Sequence, residues 1–209
     1  MVKDVDLHGR IVLSTPTTRC ALDRTSEGTR TMKIVDEVQE LIEAPLSSRE
    51  LADRYRELCH DRRFANVPGK IELDVWGRVL MTPASVYHGR IQGRICQKLA
   101  ALGGGETIIE PGVATDTGLF VPDLAWASAN FISAHVGEIA LSGAPELCIE
   151  VISPSNSVKE LEDKRVAYLA AGAKEVWIVY PQSKRYETYG KQGLLQRSAY
   201  PIDWLGVFD

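Results

Sequence analysis

The chain has 209 residues, 44% of them hydrophobic and 25% charged, with a formal net charge of −4. This is the composition of an ordinary globular chain long enough for one domain with a sizeable core. No apolar run approaches the roughly 20 residues that cross a bilayer, and the negative balance argues against a domain that binds nucleic acid through overall charge while leaving local patches open.

Residues 1–31 are poor in periodicity and rich in Thr, Arg and Asp, which predicts an extension with a short hairpin around His8-Gly9-Arg10. The segment from Met1 to Asp6 has no apolar stretch of signal-peptide type, so the expected location is the cytoplasm. Met32, Val35, Val38 and Ile42 fall near helical spacing. Ser47 with Glu50 three residues later forms a capping-box pattern that opens a second helix with Leu51, Tyr55 and Leu58 on one stripe. This pair suits a supporting helical hairpin better than a DNA-binding helix-turn-helix, because Pro45 intervenes and no basic recognition face follows.

From Gly69 the pattern changes. Residues 70–75 and 78–81 predict a hairpin around Trp76-Gly77. Residues 86–102 predict a helix with Ile91, Ile95, Leu99 and Leu102 on one stripe, ended by Gly103-Gly104-Gly105. Because those glycines follow a helix, they terminate it and do not cradle a phosphate. Residues 107–109 and 119–127 predict strands, with a turn at Asp116-Thr117-Gly118. Residues 146–152 are a dense strand signal bounded by Pro145 and Pro154. Ser157 and Glu160 repeat the capping pattern and open a helix that runs to about Ala171, with Gly172 as its stop. Residues 176–180 predict another buried strand, so 146–180 is a strand–helix–strand unit whose two strands should pair in parallel. Residues 186–189 and 194–200 predict a closing hairpin around Gly190 and Gly193.

The expected organisation is an extension over 1–31 and one domain over 32–209, divided into a helical lead-in at 32–66 and a core at 69–200. Tyr186, Tyr189, Leu194, Leu195, Tyr200 and Trp204 are many apolar groups for a terminal hairpin and suggest a homodimer surface. Cys20, Cys59, Cys96 and Cys148 form no C-x-x-C pair and have no His at zinc-ligand spacing, so they are expected to be reduced and mostly buried.

Local rules break at three places. Glu150 interrupts Leu147-Cys148-Ile149-Glu150-Val151-Ile152, a run that suggests burial on both faces. A lone carboxylate there is costly unless paired or bound to metal; the alternative is that Glu150 lies at the solvated end of the strand. Asp123 follows Pro122 within an apolar stretch, either as a functional acid or as a turn residue. Lys164 shares a helix face with Leu161 and Tyr168, so it either snorkels to solvent or points at a carboxylate or anion near the strand that bears Glu150. Two carboxylates and a lysine suit Mg²⁺ or Mn²⁺ and a phosphate.

The stretches Val121-Pro122-Asp123-Leu124, Ala144-Pro145-Glu146-Leu147-Cys148-Ile149-Glu150-Val151-Ile152-Ser153-Pro154-Ser155, Asp163-Lys164-Arg165-Val166-Ala167-Tyr168 and Ala171-Gly172-Ala173-Lys174-Glu175-Val176-Trp177-Ile178-Val179 resemble the Uma-two family of restriction-endonuclease-like proteins. The resemblance covers roughly residues 69–200 and includes Met81-Thr82-Pro83-Ala84-Ser85 and His88. It implies the PD-(D/E)XK nuclease fold, an α/β architecture with a central mixed sheet flanked by helices. It implies Asp123 and Glu150 as metal-binding acids. Because both interrupt apolar strands they are expected to converge, with the Val151 backbone carbonyl nearby as a third ligand. The superfamily's lysine normally stands two residues after the second acid, where this chain has Ile152. The family pattern places the lysine on the following helix, which matches Lys164, and an acid in the first core strand, which matches Glu72.

His88 is either a core histidine or an ancillary site residue. Arg90 and Arg94 lie on a solvated face or contact phosphates, and Lys159 is the competitor to Lys164. The expected function is a Mg²⁺- or Mn²⁺-dependent endonuclease acting on DNA, with catalytic Asp123, Glu150 and Lys164. The alternatives are a nuclease-fold binding or assembly module without turnover, and a structural carboxylate cluster without a ligand.

Overall fold

The computed structural model describes residues 2–5, 11–14, 44–64, 69–82, 85–153 and 156–209. In chain order the elements are β1 (Val2–Val5), β2 (Ile11–Ser14), α1 (Ser48–His60), β3 (Lys70–Asp74), β4 (Val79–Thr82), α2 (Val86–Ala100), β5 (Gly105–Ile109), β6 (Gly112–Thr115), β7 (Gly118–Phe120), β8 (Leu124–Ser128), α3 (Ala129–Ala134), β9 (Ala140–Leu141), β10 (Leu147–Val151), α4 (Val158–Ala170), β11 (Glu175–Tyr180), β12 (Arg185–Gly190) and β13 (Gly193–Leu194). The helix expected from Met32, Val35, Val38 and Ile42 lies outside the described residues. Among the described residues no helix is long and apolar enough to cross a membrane.

The helices start where side chains replace the missing backbone partners. At α1 the Ser47 side chain accepts from the Glu50 amide while the Glu50 carboxylate accepts from the Ser47 amide at 2.9 Å, a complete capping box. Ser85 caps α2 and Ser157 caps α4 in the same way from the serine side. At Gly172, φ is +118°, a left-handed backbone that stops α4 and that glycine adopts without strain.

Among the described residues the strands form two mixed sheets, where one central sheet was expected. The first has seven strands in the order β1-β2-β4-β3-β7-β6-β9, and the second has six in the order β13-β12-β11-β10-β8-β5. β1 pairs antiparallel with β2, as the hairpin around His8-Gly9-Arg10 predicts, and β2 joins β4 through Leu13 and Val79. β10 and β11 pair in parallel, Cys148 opposite Val176 and Glu150 opposite Ile178, as the strand–helix–strand pattern requires. β6 and β9 also pair in parallel.

The division into two sheets falls inside the stretch expected as one strand, residues 119–127. Its first part is β7, paired to β3 and β6, and its second is β8, paired to β5 and β10. Pro122 lies between them and has no amide hydrogen to give to a ladder. The closing hairpin also differs, since β13 ends at Leu194. Beyond it the Ser198 hydroxyl and the Ala199 amide donate to the Glu175 carboxylate at 2.5 and 2.6 Å, so the chain leaves the sheet to satisfy a buried acid.

Three of the described helices cover the sheets. Leu51 and Leu58 of α1 pack on Leu73, Val79 and Leu119 of the first sheet and on Val121 just beyond it. Ile91, Ile95 and Leu99 of α2 pack on Leu124, Leu147, Ile149 and Val151 of the second. Tyr168 and Leu169 of α4 pack with Cys148, Val176 and Ile178 on its other face, together with Val113 of the first sheet. The helix expected to run to Leu102 ends at Ala100, and α3, β6 and β9 were not foreseen.

Candidate functional site

β10 is buried at every residue, the pattern of a strand covered on both faces. Leu147, Ile149 and Val151 enter the layer under α2, and Cys148 enters the layer under α4. Alternation puts Glu150 on the Cys148 face, toward α4. There Glu150 Oε1 accepts from the Tyr168 hydroxyl at 2.8 Å and lies 3.5 Å from Lys164 Nζ. Lys164 stands four residues before Tyr168 on the same helix face and donates to Glu72 Oε1 at 2.8 Å. Glu72 comes from β3, where Ile71 and Leu73 face the layer under α1 and Lys70 and Glu72 share the opposite face. The same Glu72 oxygen accepts from the Val121 amide at 2.8 Å, which satisfies the backbone beside Pro122.

Asp123 sits in the crossing between the sheets and is 1% exposed. Its Oδ1 accepts from Lys70 Nζ at 2.6 Å and lies 3.0 Å from His88 Nε2. Its Oδ2 accepts from the Val151 amide at 2.6 Å. Its main-chain carbonyl accepts from the Gln92 side chain at 2.6 Å and from the Glu110 amide at 3.3 Å. Lys70 Nζ donates further to the Val121 carbonyl at 3.0 Å. An ionised Asp123 requires His88 Nε2 to carry the proton, and His88 Nδ1 is then buried without a partner among the described residues.

The groups set one another's protonation. Burial pushes the Asp123 carboxyl up, but the hydrogen bond from His88 and the Lys70 charge outweigh it and hold the group at about 2. Burial raises Glu150 above the ordinary carboxylate range, against the pull of Lys164 and Lys70. For Lys70 and Lys164 burial acts downward, but the facing acids, Glu150 foremost, raise both above the ordinary lysine value. Burial, followed by the Glu150 charge, pushes the Tyr168 hydroxyl well up. Three acids thus face two lysines in a low-dielectric interior.

All five residues expected at the site, Glu72, His88, Asp123, Glu150 and Lys164, meet here. Val151 contributes its amide, rather than its carbonyl, to the contact with Asp123. Lys70, Gln92 and the polar role of Tyr168 were missed. Arg90 and Arg94 donate to main-chain carbonyls of Asp209 and Val207 and so serve the C-terminal segment. Lys159 pairs with Asp163 on the surface at 2.6 Å. A cavity of about 730 Å³ opens between α4 and the β6–β7 turn, lined by Thr115, Asp116, Lys159 and Asp163; none of the clustered acids or their lysines lines it, so the chemistry does not belong there.

Among the described residues no group of three or more His, Cys, Asp or Glu side chains is placed to hold a metal ion. Mg²⁺ does not need such a group, because it keeps several waters and binds through one or two carboxylates. Asp123, held ionised, and Glu150, whose carboxyl the Asp123 charge helps to raise, are hard oxygen donors of that kind. The residues therefore fit a hard divalent cation better than a thiolate- or imidazole-preferring one.

Two mixed sheets flanked by helices, with this crossing between them, form a nuclease-like fold. A crystal structure described as "a putative nuclease belonging to DUF820", from Anabaena variabilis, superposes with a TM-score of 0.54 at 16% identity, covering 67% of this chain and 87% of that one. No curated protein matches the sequence. The model of the Uma2 family, described as "Putative restriction endonuclease", matches residues 52–205, more than half of the chain, and the chain belongs to that family.

Proposed function

We propose that this protein is a Mg²⁺- or Mn²⁺-dependent endonuclease that hydrolyses phosphodiester bonds in DNA. The observation that carries the reading is the meeting of Asp123 and Glu150, from different elements, in one buried cluster with two lysines. Asp123, Glu150 and the Val151 carbonyl would hold the ion. When bound, it would stabilise charge on the phosphate and activate a water. His88 and the Val151 amide fix the orientation of the Asp123 carboxylate. Lys164 holds Glu72 and Glu150 close together against their repulsion, and Tyr168 adds a hydrogen bond to Glu150. Cys59, Cys96 and Cys148 are free thiols, in keeping with a reducing cytoplasmic setting.

The test is cleavage of plasmid and single-stranded DNA with either ion, alongside calorimetry with Mn²⁺. Wild type should nick DNA only with metal, and Asp123→Ala should lose both metal binding and nicking. Mn²⁺ binding that survives Asp123→Ala would remove the site as drawn. A second reading has its own support: Ile152 occupies the superfamily's usual lysine position, and Lys164 is committed to two acids. A module that binds metal and nucleic acid without turnover would give Mn²⁺ heat but no cleavage.

A further inference from the structure

We infer that Lys70 is a tethered counter-ion of Asp123 that a divalent cation must displace, so that the chain carries its own gate on metal entry. The inference rests on the metal-binding reading of Asp123 and Glu150. Each carboxylate oxygen offers two in-plane lone pairs. On Asp123 Oδ1 these meet Lys70 Nζ at 2.6 Å and His88 Nε2 at 3.0 Å, while Oδ2 takes the Val151 amide at 2.6 Å.

The three donors differ in their freedom to leave. The Val151 amide belongs to a strand paired with its neighbour. His88 is a buried ring on α2, set one turn before Ile91 in the apolar stripe. Lys70 ends on a flexible stem of four methylenes, and its side chain is 12% exposed against 5% for Lys164. Lys70 is therefore the donor that can swing outward. A cation that uses Oδ1 takes the place of the ammonium. A cation on Oδ2 alone would sit across the carboxylate from the Lys70 ammonium, 2.6 Å from Oδ1, and that like charge disfavours binding unless Lys70 leaves. Lys164 cannot play this part, since its ammonium is anchored between Glu72 and Glu150. Once released, the Lys70 ammonium remains beside the site and is free to pair with an anion.

The experiment uses the full chain and Mn²⁺ alone as probe. Lys70→Gln keeps amide hydrogens for Asp123 and the Val121 carbonyl but removes the charge. Calorimetry should show Mn²⁺ binding at least roughly tenfold tighter than in wild type, the direction set by loss of a like charge in a site of intermediate dielectric. Lys70→Arg, which keeps the charge, should not tighten it. As a readout independent of variants, reductive methylation of wild type mapped by mass spectrometry should label Lys70 faster with Mn²⁺ than without, while Lys164 stays protected in both. Equal or weaker Mn²⁺ binding by Lys70→Gln, with wild-type binding intact, would overturn the gate and leave the metal site standing. No Mn²⁺ heat from wild type or from Lys70→Gln would overturn the metal site and the gate with it. Heat from Lys70→Gln alone supports the gate. If Lys70→Gln fails to fold, unchanged labelling of Lys70 on adding Mn²⁺ rejects the proposal.

Discussion

At Lys164 the ammonium lies 2.8 Å from Glu72 and 3.5 Å from Glu150, with the side chain only 5% exposed. Removing one partner of a buried ion group leaves uncompensated charge, which costs about 3–5 kcal/mol. Lys164→Met should therefore lower stability to urea by that order, and Lys159→Met, on an exposed pair, by less than about 0.5 kcal/mol. Equal effects of the two would mean that Lys164 is not the keystone of the cluster. Glu150 should behave in the opposite sense. Its folded-state carboxyl is raised, chiefly by burial, so its ionisation works against folding as pH rises past the unfolded value. Glu150→Gln should keep or raise the melting temperature at pH 7, by up to about 2–4 °C for each kcal/mol relieved, while abolishing Mn²⁺ binding. A sharp fall in melting temperature would show that Glu150 stabilises the fold. Asp123 and Glu150 were legible in the sequence because each interrupts an apolar run that has no other use for a carboxylate. Lys70 was not. Lys70-Ile71-Glu72-Leu73-Asp74 alternates polar and apolar as a half-solvated strand does, and only the β7–β8 crossing and α4 on its second face make those polar groups part of a site.

At the scale of elements, the capped helices and the β10–α4–β11 unit could be read from residue spacing, because capping serines, period-3.6 stripes and an apolar run between prolines are local signals. The division into two sheets could not be. β7 and β8 look like one apolar strand, and the event that separates them is long-range: Glu72 accepts the Val121 amide, and Gln92 and the Glu110 amide supply donors to the Asp123 carbonyl. β6 and β9 are four and two residues long, too short to show a period. Gly105 shows how tightly β5 and β8 then fit. A Cβ there would clash with the Ala127 carbonyl oxygen and lie 2.7 Å from the Trp126 ring. The glycine run read as a helix stop thus ends on a residue whose missing side chain lets two strands meet. Gly105→Ala should cost about 1–3 kcal/mol in chemical denaturation, as overpacking does, whereas Gly103→Ala meets no atom within 4 Å and should show only the strain of its φ of +68°. If Gly105→Ala proved neutral, β5 would not be clamped to β8 at its first residue.

Across the whole molecule, the terminal aromatics expected at a homodimer surface fold back on their own chain. Trp204 stacks on Tyr186 with ring centroids 3.8 Å apart and also contacts Trp177 and Phe208, while Tyr200 and Ile202 pack on the core under α2. What remains on that side for a second copy is the exposed part of Tyr186, Leu194 and Leu205. The acid–lysine cluster acts at the same scale, because its members come from both sheets, the crossing between them and α4. Its protonation should therefore be felt in global stability. Asp123 is held at about 2 when folded, against 3.8 as the ordinary value. A depressed acid binds protons less readily in the folded state, so its contribution is fully present above about pH 4 and is lost as pH falls toward 2. The difference is worth about 2 kcal/mol. Urea unfolding of wild type and Asp123→Asn across pH should show wild type more stable by about that amount at pH 5–7, with the two curves converging between pH 4 and 2. A gap that stays constant down to pH 2 would mean that the Asp123 charge does not join the sheets, and that its hydrogen bonds to Lys70 and the Val151 amide stabilise the crossing equally well when neutral.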